Sequence, residues 1–225
     1  MKEKQSKKIF TRMLMNNWGG ISHKVMEFHE YVNLFSGKSG SGKSTVMDAI
    51  QVVLYGSISS TFLNKAADDA KNRRSGLSYL RGAQKDGSFN REDQDFCSQI
   101  VLEIKDTGKN TYTCIGVSFE VGKADTDIRK YCFFSHSGKI PEDEYLTEEG
   151  VPYTIAKLKK LVEARIESAD NRGRGDVNRV YPSKEAYLKT VYDAIFGYVE
   201  PGRMMTMEKS AIALRMTNGT GQFIK

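Results

Sequence analysis

The sequence predicts an α/β fold built around a phosphate-binding loop, and three observations support that prediction. The stretch GKSGSGKST, residues 37–45, matches the pattern G-x-x-x-x-G-K-[ST]. A strand-like apolar run precedes it at 31–37, and a run with helical periodicity follows it at 43–56. Further along the chain, three apolar runs between 95 and 136 predict antiparallel strands.

Length and composition favour a globular protein with one large domain or two small ones. The chain has 225 residues, of which 39% are hydrophobic and 28% are charged. No apolar run approaches membrane-spanning length, and Arg12 and Asn16 interrupt any signal-peptide core. Cys97, Cys114 and Cys132 lie far apart in apolar runs, which predicts free cysteines that act as small hydrophobes. We therefore expect a cytoplasmic protein without a membrane partner.

The formal net charge of +6 is concentrated near the N-terminus, where six basic residues within 1–25 oppose only Glu3. A basic surface attracts polyanions, so contact with nucleic acid is one interpretation of this segment. A solvated, frayed terminus is the other interpretation, and the charges alone do not separate the two.

The first 56 residues, the P-loop region (1–56), are predicted to form three strands and a helix. Loose alternation predicts a first strand over roughly 8–16, and a glycine pair then turns the chain into a second strand at 23–28. YVNLFSG (31–37) is predicted to be a third strand, with Val32, Leu34 and Phe35 buried. The helix follows from apolar residues at helical spacing, namely Val46, Met47, Ile50, Val53 and Leu54, and is expected to end at Gly56.

The remainder of the chain divides into three predicted segments. Residues 57–94 are polar and irregular, which predicts an exposed linker with one short helix. Residues 95–136 predict an antiparallel β arm with strands at 95–104, 111–121 and 129–136 and a turn at 106–110. Residues 150–225 predict a helical extension, with an amphipathic run at 154–166 and a second helix for which Ser183 is the N-cap.

The residue types at 37–45 are those that phosphate binding requires. Glycines allow positive φ and let successive backbone N–H groups, together with the helix N-terminus, face phosphate oxygens. Lys43 is expected to reach the β- and γ-phosphates, Ser44 to ligate Mg²⁺, and Thr45 to contact the α-phosphate. ATP and Mg²⁺ are thus the expected ligands, and the nucleotide-binding set is the whole loop: Gly37, Lys38, Ser39, Gly40, Ser41, Gly42, Lys43, Ser44 and Thr45.

Hydrolysis requires an acidic residue for Mg²⁺ at the end of a second apolar strand, and the sequence offers no convincing candidate. IVLEIKD (100–106) is interrupted by charged residues, and VYDAIFG (191–197) has a helical pattern. His23, His29 and His136 lack ligand spacing and are expected at solvated or strand-edge positions. The acid therefore lies either in an unusual place or on sequence outside this chain.

The order of a strand, the NNWGG turn, the HKVMEF strand, the YVNLFSG strand, the P-loop and a helix resembles the N-terminal head of SMC-type and Rad50-type ABC ATPases. Asp48, Ala49 and Ile50 match the Asp-Ala-Ile pattern that follows the P-loop in that family. Within the family, the sequence looks most like the MukB-like branch, which includes the SMC-like subunit of Wadjet plasmid-defence systems. The resemblance implies an incomplete head: residues 1–225 form the N-terminal half of an ABC-type lobe, with 150–225 extending toward a coiled coil.

The same resemblance assigns roles to individual residues. It implies that Asn17, Trp18 and Gly19 form the turn near the adenine and that Lys43 is the catalytic lysine. It also makes Gln222 a candidate for a second Mg²⁺ contact, while the signature motif and the acidic residues lie on the absent C-terminal half.

As to function, the resemblance implies an ATPase in which two heads sandwich ATP as a homodimer and drive DNA organisation or loop extrusion, with these 225 residues inactive alone. It implies a kleisin, an accessory subunit and DNA as partners, with a nuclease subunit in the plasmid-defence case. Two other interpretations stay open. One is a self-contained P-loop small-molecule kinase, although such kinases normally start with the P-loop strand. The other is a nucleotide-binding module that does not hydrolyse its ligand.

Overall fold

A six-stranded antiparallel sheet, in the order β2-β1-β3-β4-β5-β6, forms the centre of the protein. The computed structural model describes residues 6–38, 40–58, 75–84, 86–168, 177–200, 202–203 and 206. The strands are β1 (Lys8–Trp18), β2 (Ile21–Glu27), β3 (Phe96–Asp106), β4 (Thr111–Val121), β5 (Lys130–Ser137) and β6 (Arg179–Tyr181). Because β1 pairs with both β2 and β3, β2 is an edge strand.

The helices begin and end where local sequence signals place them. They are α1 (Lys43–Tyr55), α2 (Gly76–Leu80), α3 (Ile155–Ser168) and α4 (Lys184–Thr190), which continues into a π-helical turn (Val191–Ile195). Gly56 ends α1 in the left-handed conformation with φ 62°, as glycine commonly does at this position. Ser183 begins α4, and its side chain accepts a hydrogen bond from the Ala186 N–H, which confirms the predicted N-cap.

Helices cover both faces of the sheet because successive strand residues point to opposite sides. On β1, Met13 and Met15 face the core shared with α1, α4 and the π-helical turn, whereas Leu14 faces the core beneath α3. Each face is thus covered by at least one helix, and the strands at the centre of the sheet are almost completely buried. Among the described residues, no helix is long and apolar enough to cross a bilayer.

The three predicted strands between 95 and 136 are confirmed as β3, β4 and β5, and their cysteines are free and buried. Burial raises the pKa of Cys97 and of Cys132 to about 11, so both thiols are protonated at neutral pH. Cys114 is completely buried as well. The three side chains act as small hydrophobes in the core, as the sequence predicts.

The strand predicted at 31–37 is absent. Tyr31, Val32 and Leu34 are 73%, 75% and 88% exposed, and the segment pairs with no strand that the structure describes. A strand needs a neighbour for its backbone N–H and C=O groups, and apolar alternation alone does not supply one. The apolar alternation at 31–37 therefore does not form a strand in the part of the chain that the structure describes.

The predicted division of the rest of the chain also differs from the structure. The β arm is continuous with the N-terminal strands, since β3 pairs with β1 from Asn16↔Gln99 to Lys8↔Asp106. Within 150–225, β6 joins the same sheet, and α3 and α4 pack against it. The predicted exposed linker is partly buried, because Tyr79, Leu80 and Arg91 lie in the interior. In each case an apolar face is removed from water by joining the existing core.

Candidate nucleotide-binding site

The P-loop lies between a segment without regular secondary structure, which begins after β2, and the first residue of α1. Gly40 and Gly42 have φ values of 82° and 87°, in the left-handed region. A Cβ added at either position would meet no atom within 4 Å, so conformation rather than space requires glycine there. Gly42 is the N-cap of α1, and the loop therefore delivers the chain to the helix N-terminus, where anions are stabilised.

The Lys43 ammonium is held by the loop itself. Its Nζ donates to the carbonyl oxygens of Gly37, at 2.6 Å, and Lys38, at 2.9 Å, and to Ser41 Oγ at 3.3 Å. An ammonium has three donors and no acceptor, so these contacts use its hydrogen-bonding capacity. Phosphate oxygens entering the loop would compete for the same donors and gain a charge-assisted bond.

Ser44 and Thr45 follow Lys43 in the first turn of α1. The Ser44 side chain is exposed, so its hydroxyl is available to an oxygen-coordinated cation such as Mg²⁺. Thr45 is half-buried, and its carbonyl oxygen accepts a hydrogen bond from Trp18 Nε1 at 2.9 Å. The donor set at this end of the helix fits an Mg²⁺–nucleotide ligand, with Lys43 and the loop amides on the phosphates and Ser44 on the metal.

A cleft of about 550 Å³ opens beside the P-loop, a volume in the range of small-molecule sites. Strand β2 lines one side, and the chain around Phe35 together with Ser41, Gly42 and Lys43 lines the other. Lys24 adds a second cation to its wall. The sequence motif did not identify this cleft; the only signal was that β2 is a polar, half-exposed strand shortly before the loop.

The turn at 17–19, expected near the adenine, packs inside the protein. Trp18 is completely buried against Tyr79, with ring centroids 4.7 Å apart, and so presents no face to a ligand in solution. Asn17 donates to the Cys97 carbonyl oxygen at 2.9 Å, which joins the turn to β3. Gly19 is buried with φ 54°. Trp18 and Gly19 thus lie against Thr45 in the first turn of α1, whereas Asn17 bonds to β3.

Two predicted site residues, Ser39 and Gln222, lie outside the described residues. The acidic residues that the sequence offered as weak candidates have structural partners. Asp106, at the end of 100–106, pairs with Lys8 and accepts from Ser6 Oγ at 2.7 Å, and Asp193 pairs with Lys189. In the described part of the chain, no group of three or more His, Cys, Asp and Glu side chains could hold a metal ion.

The histidines fall in different environments. His23 lies on the edge strand β2, with its ring nitrogens 2.6 Å from Asn16 Oδ1 and 2.8 Å from Glu144 Oε2. His136 is completely buried, which corrects the expectation of a solvated or strand-edge position. It lies on β5 beneath α3, where its ring packs near Phe134 and Tyr145.

The chain thus has a P-loop NTPase fold, with the loop at the start of α1. Residues 10–70 match the family model described as the P-loop containing region of AAA domain. The chain is also 37% identical over 59 residues to the SbcC component of the nuclease SbcCD from Staphylococcus haemolyticus (strain JCSC1435). That alignment covers 24% of this chain and 6% of the relative, so the two proteins are compared only over a short stretch.

Two solved structures show a limited structural similarity to this chain. The structure of the recombination mediator protein RecF with ATP, from the RecFOR pathway, has a TM-score of 0.36 at 14% identity, covering 96% of this chain and 48% of that one. A structure from work on ATP-driven dimerization and DNA-stimulated activation of SMC ATPases has a TM-score of 0.36 at 12% identity, covering 69% and 98%. The chain thus spans about half of the RecF chain and a small part of the SbcC relative.

Proposed function

We propose that this chain is the ATP-binding half of an SMC-like ATPase head. The proposal is supported by the P-loop at the start of α1, by the family match over 10–70, and by the local sequence likeness to an SbcC protein. ATP and Mg²⁺ are the proposed ligands, held by the residues of 37–45 with Lys43 on the phosphates and Ser44 on the metal. We propose that the nucleoside occupies the cleft beside the loop, which Ser41, Gly42 and Lys43 help to line.

The observation that carries the proposal is the segment before the loop, 31–37, which pairs with no strand in the part of the chain that the structure describes. A P-loop ordinarily follows a strand and precedes a helix. Here the helix is present, whereas 31–37 has the alternating pattern of a strand but exposes Tyr31, Val32 and Leu34. We infer that a strand from further sequence, in the complete head, pairs with this segment and covers those side chains. The acidic residues that hydrolysis requires would come from the same further sequence.

In the complete protein, two such heads would bind ATP between them, each P-loop completed by residues of the partner head. ATP binding would close the pair and hydrolysis would open it, driving DNA organisation or loop extrusion in the cytoplasm. The proposed partners are a second copy of the head, a kleisin with an accessory subunit, and DNA. A nuclease subunit joins them if the protein acts in plasmid defence.

The alternative of a self-contained small-molecule kinase receives no support from the sheet. Its six described strands are antiparallel, and 31–37 joins none of them, whereas a compact α/β nucleotide fold contains a parallel sheet that includes the strand before the loop. The alternative of a nucleotide-binding module that does not hydrolyse its ligand involves the same loop. It differs from the proposed half-head only in whether the complete protein hydrolyses ATP.

The test compares ATP binding and ATP turnover by the 225-residue chain. Isothermal titration calorimetry should show binding of Mg²⁺–ATP that Lys43→Ala abolishes, while steady-state phosphate release stays at background. Lys160→Ala is the control, because it removes an exposed lysine of α3, outside the loop. Robust turnover by the isolated chain would refute the split head, and absence of binding would refute the site itself.

A further inference from the structure

Arg91 is a buried arginine whose hydrogen bonds go to backbone carbonyl groups. It is 4% exposed, and its Nε and Nη2 donate to the Leu80 oxygen at 3.0 and 2.7 Å. Nη2 also donates to the Gly19 oxygen, and the guanidinium lies 5.3 Å from the centre of the Phe96 ring. No carboxylate is paired with it in the part of the chain that the structure describes.

Burying an arginine in this way costs free energy, so its presence calls for a role that a neutral side chain could not fill. Removing a cation from water is unfavourable, and no opposite charge offsets that cost here. Burial lowers the pKa of Arg91 to about 10, although the side chain remains charged at neutral pH. What the planar guanidinium offers is a fork of fixed donors that can join two separate carbonyl groups at once.

The two carbonyl groups belong to two different parts of the protein. Leu80 ends α2, whereas Gly19 belongs to the β1–β2 turn. The approach of these parts is close, because a Cβ on Gly82 would lie 2.6 Å from the Gly19 oxygen and 3.0 Å from Arg91 Nη2. Gly82 has φ 72°, so it is needed both for its conformation and for the space it leaves.

The β1–β2 turn in turn contacts the helix that carries the phosphate-binding residues. A Cβ on Gly19 would lie 3.0 Å from Thr45 Cγ2, and Trp18 donates to the Thr45 oxygen at 2.9 Å. Tyr79 packs on Trp18 and donates to Asp48 Oδ2 at 3.1 Å, which adds a second connection to α1. A continuous series of contacts thus runs from Arg91 through the turn to the first turn of α1.

We propose that Arg91 is a positioning residue for the P-loop: by holding the Gly19 carbonyl it fixes the β1–β2 turn, and through Trp18 and Thr45 it fixes the start of α1. The inference rests on the proposed function of the loop as an Mg²⁺–ATP site. It assigns to the segment after α2 a role in ligand affinity, although that segment does not line the cleft beside the loop.

Arg81 provides a matched control from the same segment. It also donates to backbone carbonyl groups, those of Glu92, Gly122, Lys123 and Asp125, but not to the β1–β2 turn. Arg81→Met and Arg91→Met therefore remove similar bonds at the two positions, while only the second releases the turn. If Arg91 had only a structural role, the two substitutions would have similar effects.

The experiment measures two properties of the 225-residue wild type, Arg91→Met, Arg91→Lys and Arg81→Met at a temperature at which circular dichroism shows all of them folded. The first is the Kd for Mg²⁺–ATP, which Arg91→Met should raise about tenfold, as is common when an outer partner of a ligand site is lost. Arg91→Lys should lie between this variant and the wild type, and Arg81→Met should stay within about twofold of the wild type. The second is amide hydrogen exchange without nucleotide, measured at 46–48, where the first hydrogen-bonded amides of α1 begin. Exchange there should accelerate only in the two Arg91 variants and most in Arg91→Met.

Gly82→Ala gives an independent perturbation if Arg91→Met fails to fold, since the added methyl group must push the Gly19 carbonyl away. It should weaken Mg²⁺–ATP binding and accelerate the same amides. Equal Kd values and equal exchange at 46–48 in Arg91→Met and Arg81→Met would overturn the inference, even though Lys43→Ala still abolishes binding. Loss of ATP binding in the wild type would instead overturn the proposed function, and the exchange data would then decide the positioning role alone.

Discussion

Replacing Trp18 with phenylalanine separates a role in the fold from a role in contacting the base. The indole is completely buried, donates from Nε1 to the Thr45 oxygen at 2.9 Å, and packs on Tyr79 with ring centroids 4.7 Å apart. Trp18→Phe keeps an aromatic ring in the same place but removes the donor and part of the volume. The structure therefore predicts a loss of stability, together with a loss of affinity that does not depend on the base of the nucleotide.

The size of the stability loss follows from these contacts. The hydrogen bond to Thr45 contributes about 1 kcal/mol, and the volume that phenylalanine leaves unfilled costs about 1–2 kcal/mol. We expect the free energy of unfolding to fall by roughly 2–3 kcal/mol, a large part of the stability of an ordinary domain. With a urea dependence of about 2 kcal/mol per molar, the unfolding midpoint should fall by about 1–1.5 M.

Urea unfolding followed by circular dichroism measures this change, because Trp18 is the single tryptophan of the chain and its fluorescence disappears in the variant. Tyr198→Phe alters a side chain that is 87% exposed and should change the free energy of unfolding by no more than about 0.5 kcal/mol. ATP and GTP affinities should fall by the same factor in Trp18→Phe. An unchanged midpoint would show that the packing argument is wrong. A loss of affinity confined to ATP would show that Trp18 contacts the adenine.

Three further predictions concern pH and the exposed segment. Burial, with a smaller contribution from Arg165, lowers the pKa of His136 from 6.5 to about 4, so the unfolded chain binds a proton that the folded protein does not. Stability should therefore decline by up to about 3 kcal/mol as the pH falls from 6.5 to 4, and thermal unfolding should show a flatter profile for His136→Gln. Burial alone would raise the pKa of Asp106, but Lys8 and neighbouring donors outweigh burial and hold that pKa well below 3.8. The resulting stabilisation is present above pH 3.8 and is lost as the pH falls further. Asp106→Asn should therefore lose less stability than the wild type on acidification below pH 3.8. Val32→Ser with Leu34→Ser should lower binding of a hydrophobic dye and change the free energy of unfolding by less than about 0.5 kcal/mol, whereas a large destabilisation would mean that these side chains are packed in solution.

Elements with a strong local signal could be predicted from the sequence. Helix α1 has its glycine N-cap, its apolar period and its terminating Gly56 within a single short stretch of sequence, and the structure begins and ends it there. Strands β3 to β5 alternate and are separated by turns, and they too lie close to their predicted positions. In both cases the determinants are local, so no knowledge of distant contacts is needed.

Features that depend on distant residues could not be predicted. The pattern at 31–37 is that of a strand, but whether a strand forms is decided by a neighbour, and the described structure offers none. Conversely, Arg91 lies in a polar stretch that suggested an exposed loop, and only the positions of Leu80 and Gly19 make its burial possible. The three-residue strand β6 forms because β5 leaves an open edge, which its own sequence does not reveal.

The same distinction applies within the site. Lys43 and Ser44 lie in the first turn of α1, directly after the loop, because the backbone conformation of a P-loop is set by its own residues. The role of Trp18 could not be read from the motif, since it depends on Tyr79 and Thr45 meeting it in the fold. The cleft beside the loop is likewise created by β2 and the chain around Phe35, which are brought together only by the fold.

The P-loop is thus supported unequally on its two sides. After Lys43, the chain is held by Trp18 and Tyr79, and these contacts exist without any partner. Before Gly37, the chain has no neighbour in the described sheet, although the carbonyl oxygens of Gly37 and Lys38 are the groups that hold Lys43. Under the proposed function, pairing of 31–37 with a strand of the complete head would fix these carbonyls and with them the lysine. Pairing of that strand with 31–37 and phosphate binding by the loop would then act on the same few atoms, so each should strengthen the other.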